Sequence, residues 1–245
     1  MKVVFLGATR GMGRAVARLM AQRHDRLFLL GRDAEELARS AQDLEVIGGG
    51  NKVEAALCDL LQPETFASAL DQGASALNGI DAVVVTAGLF ATQERLEQDA
   101  ALRRDVLTAD FTNTIEFCEQ ARQRLLATGG GTLCVFSSVA GERARKPVLL
   151  YGAAKAGLSQ YLEGLDHKFR AQGLRTVCVK PGFVKTSMTA GLKAPPFAGE
   201  ADTIAPAVLK AIDRGRPIVY VPGIWRWVML VIRLLPRAVM RRIAF

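Results

Sequence analysis

The chain has 245 residues, half of them hydrophobic and 23% charged, which suits one globular α/β domain and excludes an intrinsically disordered protein. Its four cysteines are scattered and it has only two histidines, so we expect reduced thiols in the cytosol, no metal site and no histidine-based triad. The net charge of +8 arises near the C-terminus, where residues 214–245 hold seven arginines and no acidic residue; without a recognisable motif, we expect no nucleic-acid partner.

The first predicted element is a buried strand that opens into a glycine-rich loop. Val3–Leu6 is a continuous apolar run, and the loop Gly7–Gly13 leads from it into a helix. Backbone N–H groups and the positive end of the helix dipole favour a phosphate there. The alternative is a tight turn without a ligand, since the spacing is not the usual G-x-G-x-x-G. The candidate cofactor-binding residues of this loop are Gly7, Thr9, Arg10, Gly11, Met12 and Gly13.

The end of the second predicted strand, Leu27–Leu30, bears on cofactor choice. In dinucleotide sites an acidic residue at this strand end binds the ribose 2′-hydroxyl, whereas an arginine accommodates a 2′-phosphate. Here Gly31 is followed by Arg32, and Arg10 is available in the first loop. We therefore expect NADP(H) to be preferred over NAD(H). Alternatively Arg32 is solvated, and Asp33 caps the next helix in either case.

The remaining elements alternate between helices and strands, which predicts a doubly wound, Rossmann-type parallel sheet with ligands at the carboxyl ends of its strands. We expect a single α/β catalytic domain over residues 1–222. In chain order the pattern predicts a helix at 34–44, a strand at 53–57, helix 63–77, strand 82–85, helix 94–127, strand 132–136, helix 149–171 and strand 176–179.

Tyr151 and Lys155 stand four residues apart on the predicted helix 149–171, so the phenol and the ammonium share one face. A neighbouring cation favours the phenolate and lowers the pKa of the tyrosine, which would make it a proton donor and acceptor for interconverting a ketone and an alcohol. A tyrosine in the core and a lysine in solvent is the alternative if the pair is taken alone.

Together the motifs resemble the short-chain dehydrogenase/reductase family, in its classical form, over residues 3–190. The motifs that carry the resemblance are Gly7-x-x-x-Gly11-x-Gly13, Asp59, Ala87-Gly88, Ser138, Tyr151-x-x-x-Lys155 and Pro181-Gly182-x-Val184-x-Thr186. The resemblance implies that Tyr151 is the general acid or base, that Lys155 lowers its pKa and binds the nicotinamide ribose, and that Ser138 holds the substrate oxygen. It also implies cofactor contacts at the adenine (Asp59, Leu60), the ribose (Ala87, Gly88) and the nicotinamide (Pro181, Gly182, Val184, Thr186).

Two positions depart from the family pattern. Asp110 stands where the family usually has an asparagine whose main-chain carbonyl holds a proton-relay water, so Asp110 is a fourth candidate catalytic residue. We expect its carboxyl to be partly buried, with a raised pKa or a cation as partner. Thr86 replaces the asparagine that the family prefers before Ala-Gly, and its hydroxyl can supply one of the lost hydrogen bonds.

Residues 138–145, 188–195 and the arginine-rich tail are similar to the decaprenylphosphoryl-2-keto-ribose reductase branch, which reduces a keto sugar carried on a polyprenyl phosphate. We expect residues 186–202 to form a mobile lid over the substrate. The tail, residues 223–245, is predicted to be an amphipathic helix with Arg226, Arg233, Arg237 and Arg241 on one stripe if Pro236 does not bend it. It would lie on an anionic membrane surface; alternatively it packs on the domain or on a second copy.

The sequence thus predicts an NAD(P)H-dependent oxidoreductase that interconverts a ketone and a secondary alcohol, with a lipid-linked keto sugar as one substrate class. The alternatives are a soluble reductase of small or hydrophobic ketones, and a dinucleotide-binding sensor or scaffold with impaired catalysis. We expect a cytoplasmic protein, peripheral on the inner face of the membrane if the tail binds lipid. The family resemblance also implies a homodimer or homotetramer.

Overall fold

The computed structural model describes residues 1–243, and its centre is a sheet of seven parallel strands. The order across the sheet is β3-β2-β1-β4-β5-β6-β9. The chain adds β2 and β3 on one side of β1 and the later strands on the other side, as in a doubly wound fold. The strands are β1 (Lys2–Leu6), β2 (Arg26–Gly31), β3 (Glu54–Leu57), β4 (Ala82–Val85), β5 (Gly131–Phe136), β6 (Leu174–Pro181) and β9 (Ile218–Val221), while β7 (Val184–Lys185) and β8 (Gly199–Glu200) form a separate pair.

Helices cover both faces of this sheet, because alternate side chains of each strand point to opposite sides. In β1, Val3 and Phe5 belong to one hydrophobic core, and Val4 and Leu6 to the other. The predicted Rossmann-type α/β fold is therefore confirmed. The helices are α1 (Gly11–Gln22), α2 (Ala34–Ile47), α3 (Phe66–Leu77), α4 (Gln93–Gln98), α5 (Ala100–Leu107), α6 (Asn113–Ala127), α7 (Leu149–Phe169), α8 (Ala201–Arg214), α9 (Trp225–Leu234) and α10 (Arg237–Arg242).

The single long helix predicted over residues 94–127 is wrong in detail, since the structure divides it into α4, α5 and α6. Asp99 ends α4 and begins α5, where its carboxylate accepts hydrogen bonds from the backbone N–H groups of Ala101 and Leu102. A π-helical turn, Thr108–Thr112, then joins α5 to α6. Such turns are frequent at functional sites, and this one carries Asp110.

The C-terminal part of the domain holds two elements that the sequence pattern did not predict, α8 and β9. Helix α8 packs on α1, and β9 pairs with β6 as the last strand of the sheet. Beyond it, α9 ends at Leu234, and α10 begins only after the extended Leu235–Pro236 step. The predicted arginine stripe along one continuous helix is therefore wrong, and residues 244 and 245 of the predicted tail lie outside the described residues. Within residues 1–243, none of the helices combines the length and apolarity that a membrane crossing requires.

Candidate functional site

A cleft of about 310 Å³ lies at the carboxyl ends of the central strands. Its walls are the loops after β1, β2, β3 and β4, together with the segment that follows β7. The predicted cofactor residues that line it are Gly7, Thr9, Arg10, Gly11, Met12, Gly13, Arg32, Asp59, Leu60, Ala87, Gly88 and Thr186. Ser187 and Met188 of the predicted lid also line it. Its other walls include residues that were not predicted to belong to the site: Leu6, Cys58, Leu61, Leu89 and Ala109.

The glycine loop is shaped by very close backbone contacts. A methyl group at Gly13 would lie 2.2 Å from the carbonyl oxygen of Gly7, and one at Gly7 would lie 2.5 Å from the backbone nitrogen of Ala87. Gly7 also has φ +98°, which disfavours a side chain. The hydroxyl of Thr86 donates to the Gly7 carbonyl at 2.8 Å, so the threonine does tie this loop to the end of β4.

The loop leaves the first turn of α1 open toward the cleft. Arg10 is the N-cap residue, yet among the described residues no side chain caps this helix end. The first backbone N–H groups of a helix lack intrahelical partners and favour an anion. Together with the cradle formed by Gly7 and Gly13, this end of the cleft fits the diphosphate of a dinucleotide.

The rim beside β2 carries the two candidate arginines. Asp33 caps α2 by accepting a hydrogen bond from the backbone N–H of Glu36 at 3.0 Å, as predicted. Arg10 pairs with the Glu36 carboxylate at 3.3 Å, a contact that the sequence did not predict. Arg32 is exposed at the cleft, and no carboxylate pairs with it within the described part of the chain.

Helix α7 is held close to the end of β5, which places Tyr151 and Lys155 beside Ser138. The Ser137 hydroxyl donates to the Lys155 carbonyl at 2.9 Å. The turn after Ser138 also packs tightly on α7, since a methyl group at Gly141 would lie 2.6 Å from the Lys155 carbonyl carbon. Ser138 accepts a hydrogen bond from the backbone N–H of Ala140 at 3.1 Å, which orients its side chain.

Lys155 and Asp110 form a buried pair beneath the tyrosine. The Lys155 Nζ lies 3.7 Å from Asp110 Oδ2 and donates to the carbonyl of Phe136 at 3.3 Å. The Asp110 side chain is fully buried, and its Oδ1 accepts from the backbone N–H of Leu89 at 2.7 Å. Gly88 permits this packing, because a methyl group there would lie 2.8 Å from Asp110 Oδ1.

Burial and this pairing act in opposite directions on both partners. Burial raises the pKa of Asp110, and the nearby Lys155 ammonium only partly opposes that effect. Burial lowers the pKa of Lys155, but the attraction of Asp110 and Tyr151 outweighs it, so the pKa of Lys155 is raised. The expectation of a raised pKa or a cationic partner for Asp110 is met on both counts.

The phenol of Tyr151 departs from the sequence-based expectation. Burial raises its pKa above the ordinary value, although Lys155 and a hydrogen bond with Ser138 lower it. Lys155 thus has the expected effect, but the expected net lowering is wrong for the protein alone, because burial and the negative charge of Asp110 prevail. The Tyr151 ring also packs edge-on against Phe90, with ring centroids 5.2 Å apart.

The loop after β6 closes the site from the opposite side. A methyl group at Gly11 would lie 3.2 Å from the Thr186 Cγ2 atom, so this loop meets the glycine loop across the cleft. Val184 is buried in the core, and Gly182 lies against the ring of Trp225, where a methyl group would be 2.2 Å from the indole nitrogen. Some predicted site residues do not line the cleft in the described part of the chain; these are Asp110, Ser138, Tyr151, Lys155, Pro181, Gly182 and Val184.

Comparisons with known proteins agree with this architecture. The family model for short chain dehydrogenase matches residues 1–196. An uncharacterized oxidoreductase of Mycobacterium tuberculosis (strain ATCC 25618 / H37Rv) is 31% identical over 242 residues, which cover 98% of this chain and 96% of the relative. Carbonyl reductase family member 4 of Danio rerio is 32% identical over 196 residues, or 77% of this chain and 78% of the relative.

A solved structure resembles the whole fold. It is a short-chain dehydrogenase from Sphingobium yanoikuyae in complex with NADPH, which superposes with a TM-score of 0.82 at 25% identity and covers 94% of this chain and 92% of that one. With the glycine cradle and the family match over most of the chain, these similarities establish the class. The chain belongs to the short-chain dehydrogenase/reductase family and is an NAD(P)-dependent oxidoreductase.

Proposed function

We propose that this protein is an NADP(H)-dependent reductase that interconverts a ketone and a secondary alcohol. The observation that supports this most is the grouping of Ser138, Tyr151 and the buried Lys155 directly behind a wall of the cleft that fits a dinucleotide. A methyl group at the wall residue Gly88 would lie 3.6 Å from Lys155 Nζ. When bound, the nicotinamide supplies or accepts the hydride.

In this proposal Tyr151 delivers a proton to the substrate oxygen during reduction and removes it during oxidation. The Ser138 hydroxyl holds that oxygen, and the turn at Ala140 fixes the hydroxyl. The Lys155 ammonium stabilises the negative charge that remains on the phenol after proton transfer, because it lies 5.6 Å from the ring centroid in a site of low dielectric. Lys155 would also bind the nicotinamide ribose, and Pro181, Gly182, Val184 and Thr186 would surround the nicotinamide.

Asp110 acts in this proposal as a positioning residue. Its carboxylate stands 3.7 Å from the Lys155 ammonium. Burial favours loss of a proton from Lys155, and the negative charge of Asp110 opposes that loss. Its side chain also fixes the backbone at Leu89, next to the cofactor residue Gly88. In this proposal the main-chain carbonyl of Asp110 would hold the proton-relay water that the family implies.

The preference for NADP(H) is supported by the charge at the β2 end of the cleft. Arg32 is exposed and free of carboxylate partners among residues 1–243, while the nearby Asp33 is engaged as a helix cap. An unpaired guanidinium at this position complements a 2′-phosphate. Arg10 contributes less, because Glu36 already pairs with it.

The cofactor proposal is tested by Arg32→Ala, with Arg18→Ala on the exposed face of α1 as the matched control. Fluorescence titration should show that Arg32→Ala raises the Kd for NADPH about tenfold or more, since one charge-assisted phosphate contact contributes about 1.5–3 kcal/mol. The Kd for NADH should change less than twofold. Equal weakening of both cofactors, or an equal effect of Arg18→Ala, would contradict the phosphate role.

The substrate class is proposed at two levels. The similarity to carbonyl reductase family member 4 supports a ketone or its alcohol as the reacting group. A keto sugar linked to a polyprenyl phosphate is the more specific candidate. It rests on the similarity of residues 138–145, 188–195 and the arginine-rich tail to the decaprenylphosphoryl-2-keto-ribose reductase branch. A small or hydrophobic soluble ketone is the alternative. NADPH oxidation should be followed with short-chain ketones and with the lipid-linked keto sugar. Turnover of the soluble ketones alone would remove the lipid-linked candidate.

We also propose a cytoplasmic homodimer or homotetramer. The long helical segment from α4 to α6 and the tyrosine helix α7 are the pairing surfaces that the family implies. Light scattering coupled to gel filtration tests this assembly, and a monomer at micromolar concentration would contradict it.

A further inference from the structure

Helix α9 is apolar on two opposite faces, and the domain covers only one of them. Trp225, Met229 and Ile232 point inward and form a small core with Val139. The outward face consists of large apolar side chains at helical spacing, with exposed fractions between 46% and 76%: Trp227, Leu230, Val231 and Leu234. A contiguous exposed apolar patch of this kind marks an interaction surface.

The inner face of α9 and the loops of the domain hold α9 and α10 against the domain. The Trp225 indole donates to the carbonyl of Phe197 at 3.2 Å, in the segment that follows the nicotinamide loop. Arg143 donates to the carbonyl of Leu235 at 2.7 Å, at the end of α9. Lys146 donates to a carbonyl in α10, that of Arg241, also at 2.7 Å. The exposed face is therefore fixed next to the turn that links Ser138 to Tyr151.

The charged side chains of α9 and α10 are all basic. The exposed arginines of the two helices are Arg226, Arg233, Arg237, Arg241 and Arg242. The sequence has no acidic residue after Asp213, and within residues 1–243 no carboxylate lies in ion-pair distance of these arginines. Basic side chains around exposed tryptophan and leucine residues describe a surface that lies in the plane of an anionic membrane.

We propose that this face of α9 and α10 docks the protein on the surface of an anionic lipid bilayer. The proposal goes beyond the reductase activity and does not depend on it. A second copy is the less favoured occupant, because a two-fold contact would bring the same arginines of both copies together, and residues 214–243 contain no acidic side chain to separate them. The apolar side chains of Met188, Leu192 and Phe197 are exposed as well. The Phe197 carbonyl is hydrogen-bonded to Trp225 of α9. Docking would therefore bring the segment of residues 188–197, next to the cleft, close to lipid.

Truncation of the tail is a poor test, because it would remove Trp225, Met229 and Ile232 from the core. Substitutions on the outer face avoid that problem. We suggest flotation of the full-length protein with vesicles of phosphatidylcholine containing 30% phosphatidylglycerol, and with vesicles of phosphatidylcholine alone. The apolar variant is Leu230→Ser with Leu234→Ser, and its control is Val46→Ser, at the exposed end of α2. The charge variant is Arg233→Gln with Arg237→Gln, and its control is Arg18→Gln.

The wild-type protein and both controls should float with the anionic vesicles, and 0.5 M salt should weaken their binding. Loss of two arginines should weaken binding about twentyfold or more, since each contributes about fivefold near such a surface. The leucine pair should weaken it at least as much. NADPH binding by every variant should equal that of wild type, which separates this result from the test of the reductase function.

Three results would overturn the proposal. The first is that the wild-type protein does not float with the anionic vesicles. The second is that the apolar variant and the charge variant float as well as the wild type. The third comes from sedimentation velocity without lipid. Self-association that Leu230→Ser with Leu234→Ser abolishes would show that a second copy covers this face.

Discussion

The buried pair of Asp110 and Lys155 allows a quantitative test of how the site is held together. Replacing Asp110 by alanine removes the counter-charge that lies 3.7 Å from Nζ, while the Lys155 side chain is only 5% exposed. It also leaves the backbone N–H of Leu89 without its acceptor. Breaking a buried ion pair costs about 3–5 kcal/mol, so we expect Asp110→Ala to lower the free energy of unfolding at pH 7 by that amount.

Asp110→Asn separates the charge from the hydrogen bond. The amide oxygen still accepts from Leu89. Because burial outweighs the attraction to Lys155 and raises the pKa of Asp110, the folded protein favours a neutral group here, so we expect a cost of less than about 1 kcal/mol. The double variant Asp110→Asn with Lys155→Met removes both charges and keeps a long side chain at position 155. We expect it to be less destabilised than the sum of the single variants by at least about 1 kcal/mol.

Urea titration at pH 7, followed by far-UV circular dichroism, measures all four proteins of this cycle. The matched control is Asp71→Asn, which removes a carboxylate from an exposed pair with Arg124 and should cost less than about 1 kcal/mol. A coupling energy near zero between positions 110 and 155, with Asp110→Ala costing no more than this control, would refute the assignment of a charged pair.

Three further predictions follow from the packing and the titration of the site. Trp225→Ala should destabilise the fold by about 3–5 kcal/mol and Trp227→Ala, on the exposed face, by less than about 1 kcal/mol in the same urea assay; equal costs would contradict the inward packing of α9. Burial raises the pKa of Cys58 to about 12, so its native thiol should react with Ellman's reagent at pH 8 roughly a thousandfold more slowly than in urea; fast labelling by native protein would disprove this. Because burial raises the pKa of Asp110 above its ordinary value of 3.8, the folded chain binds more protons than the unfolded one, and the contribution of Asp110 to stability should fall as pH rises from about 4 through the raised pKa. Between pH 4 and pH 7 the urea midpoint of Asp110→Asn should not show this decline. Parallel curves of midpoint against pH for the wild type and Asp110→Asn would contradict the raised pKa of Asp110.

The sheet and the cofactor end of the cleft could be predicted because their signals are local. The apolar run of Val3–Leu6 is buried on both faces, and Gly7 and Gly13 meet backbone atoms at distances that no side chain tolerates. The spacing of Tyr151 and Lys155 likewise fixed their common face, because α7 is regular over both residues.

The parts that were missed depend on contacts between distant residues. The ion pair of Arg10 with Glu36 and the packing of Trp225 on Gly182 join segments whose approach is decided only by the folded sheet. The raised pKa of Tyr151 has the same origin, since it results from burial that spacing along a helix does not reveal. Helix α8 was not predicted from its pattern, which includes Pro206 in the helix interior, and its place is set by packing on α1.

The proton-transfer role of Tyr151 is the central claim, and Tyr151→Phe tests it most directly. Tyr161→Phe is the matched control, since Tyr161 lies on the same helix with its hydroxyl bonded to Glu119 at 2.7 Å. With a ketone that the wild type reduces, kcat of Tyr151→Phe should fall by about a thousandfold or more, while the Kd for NADPH changes less than about threefold. Turnover by Tyr151→Phe at a rate close to that of Tyr161→Phe would contradict the account.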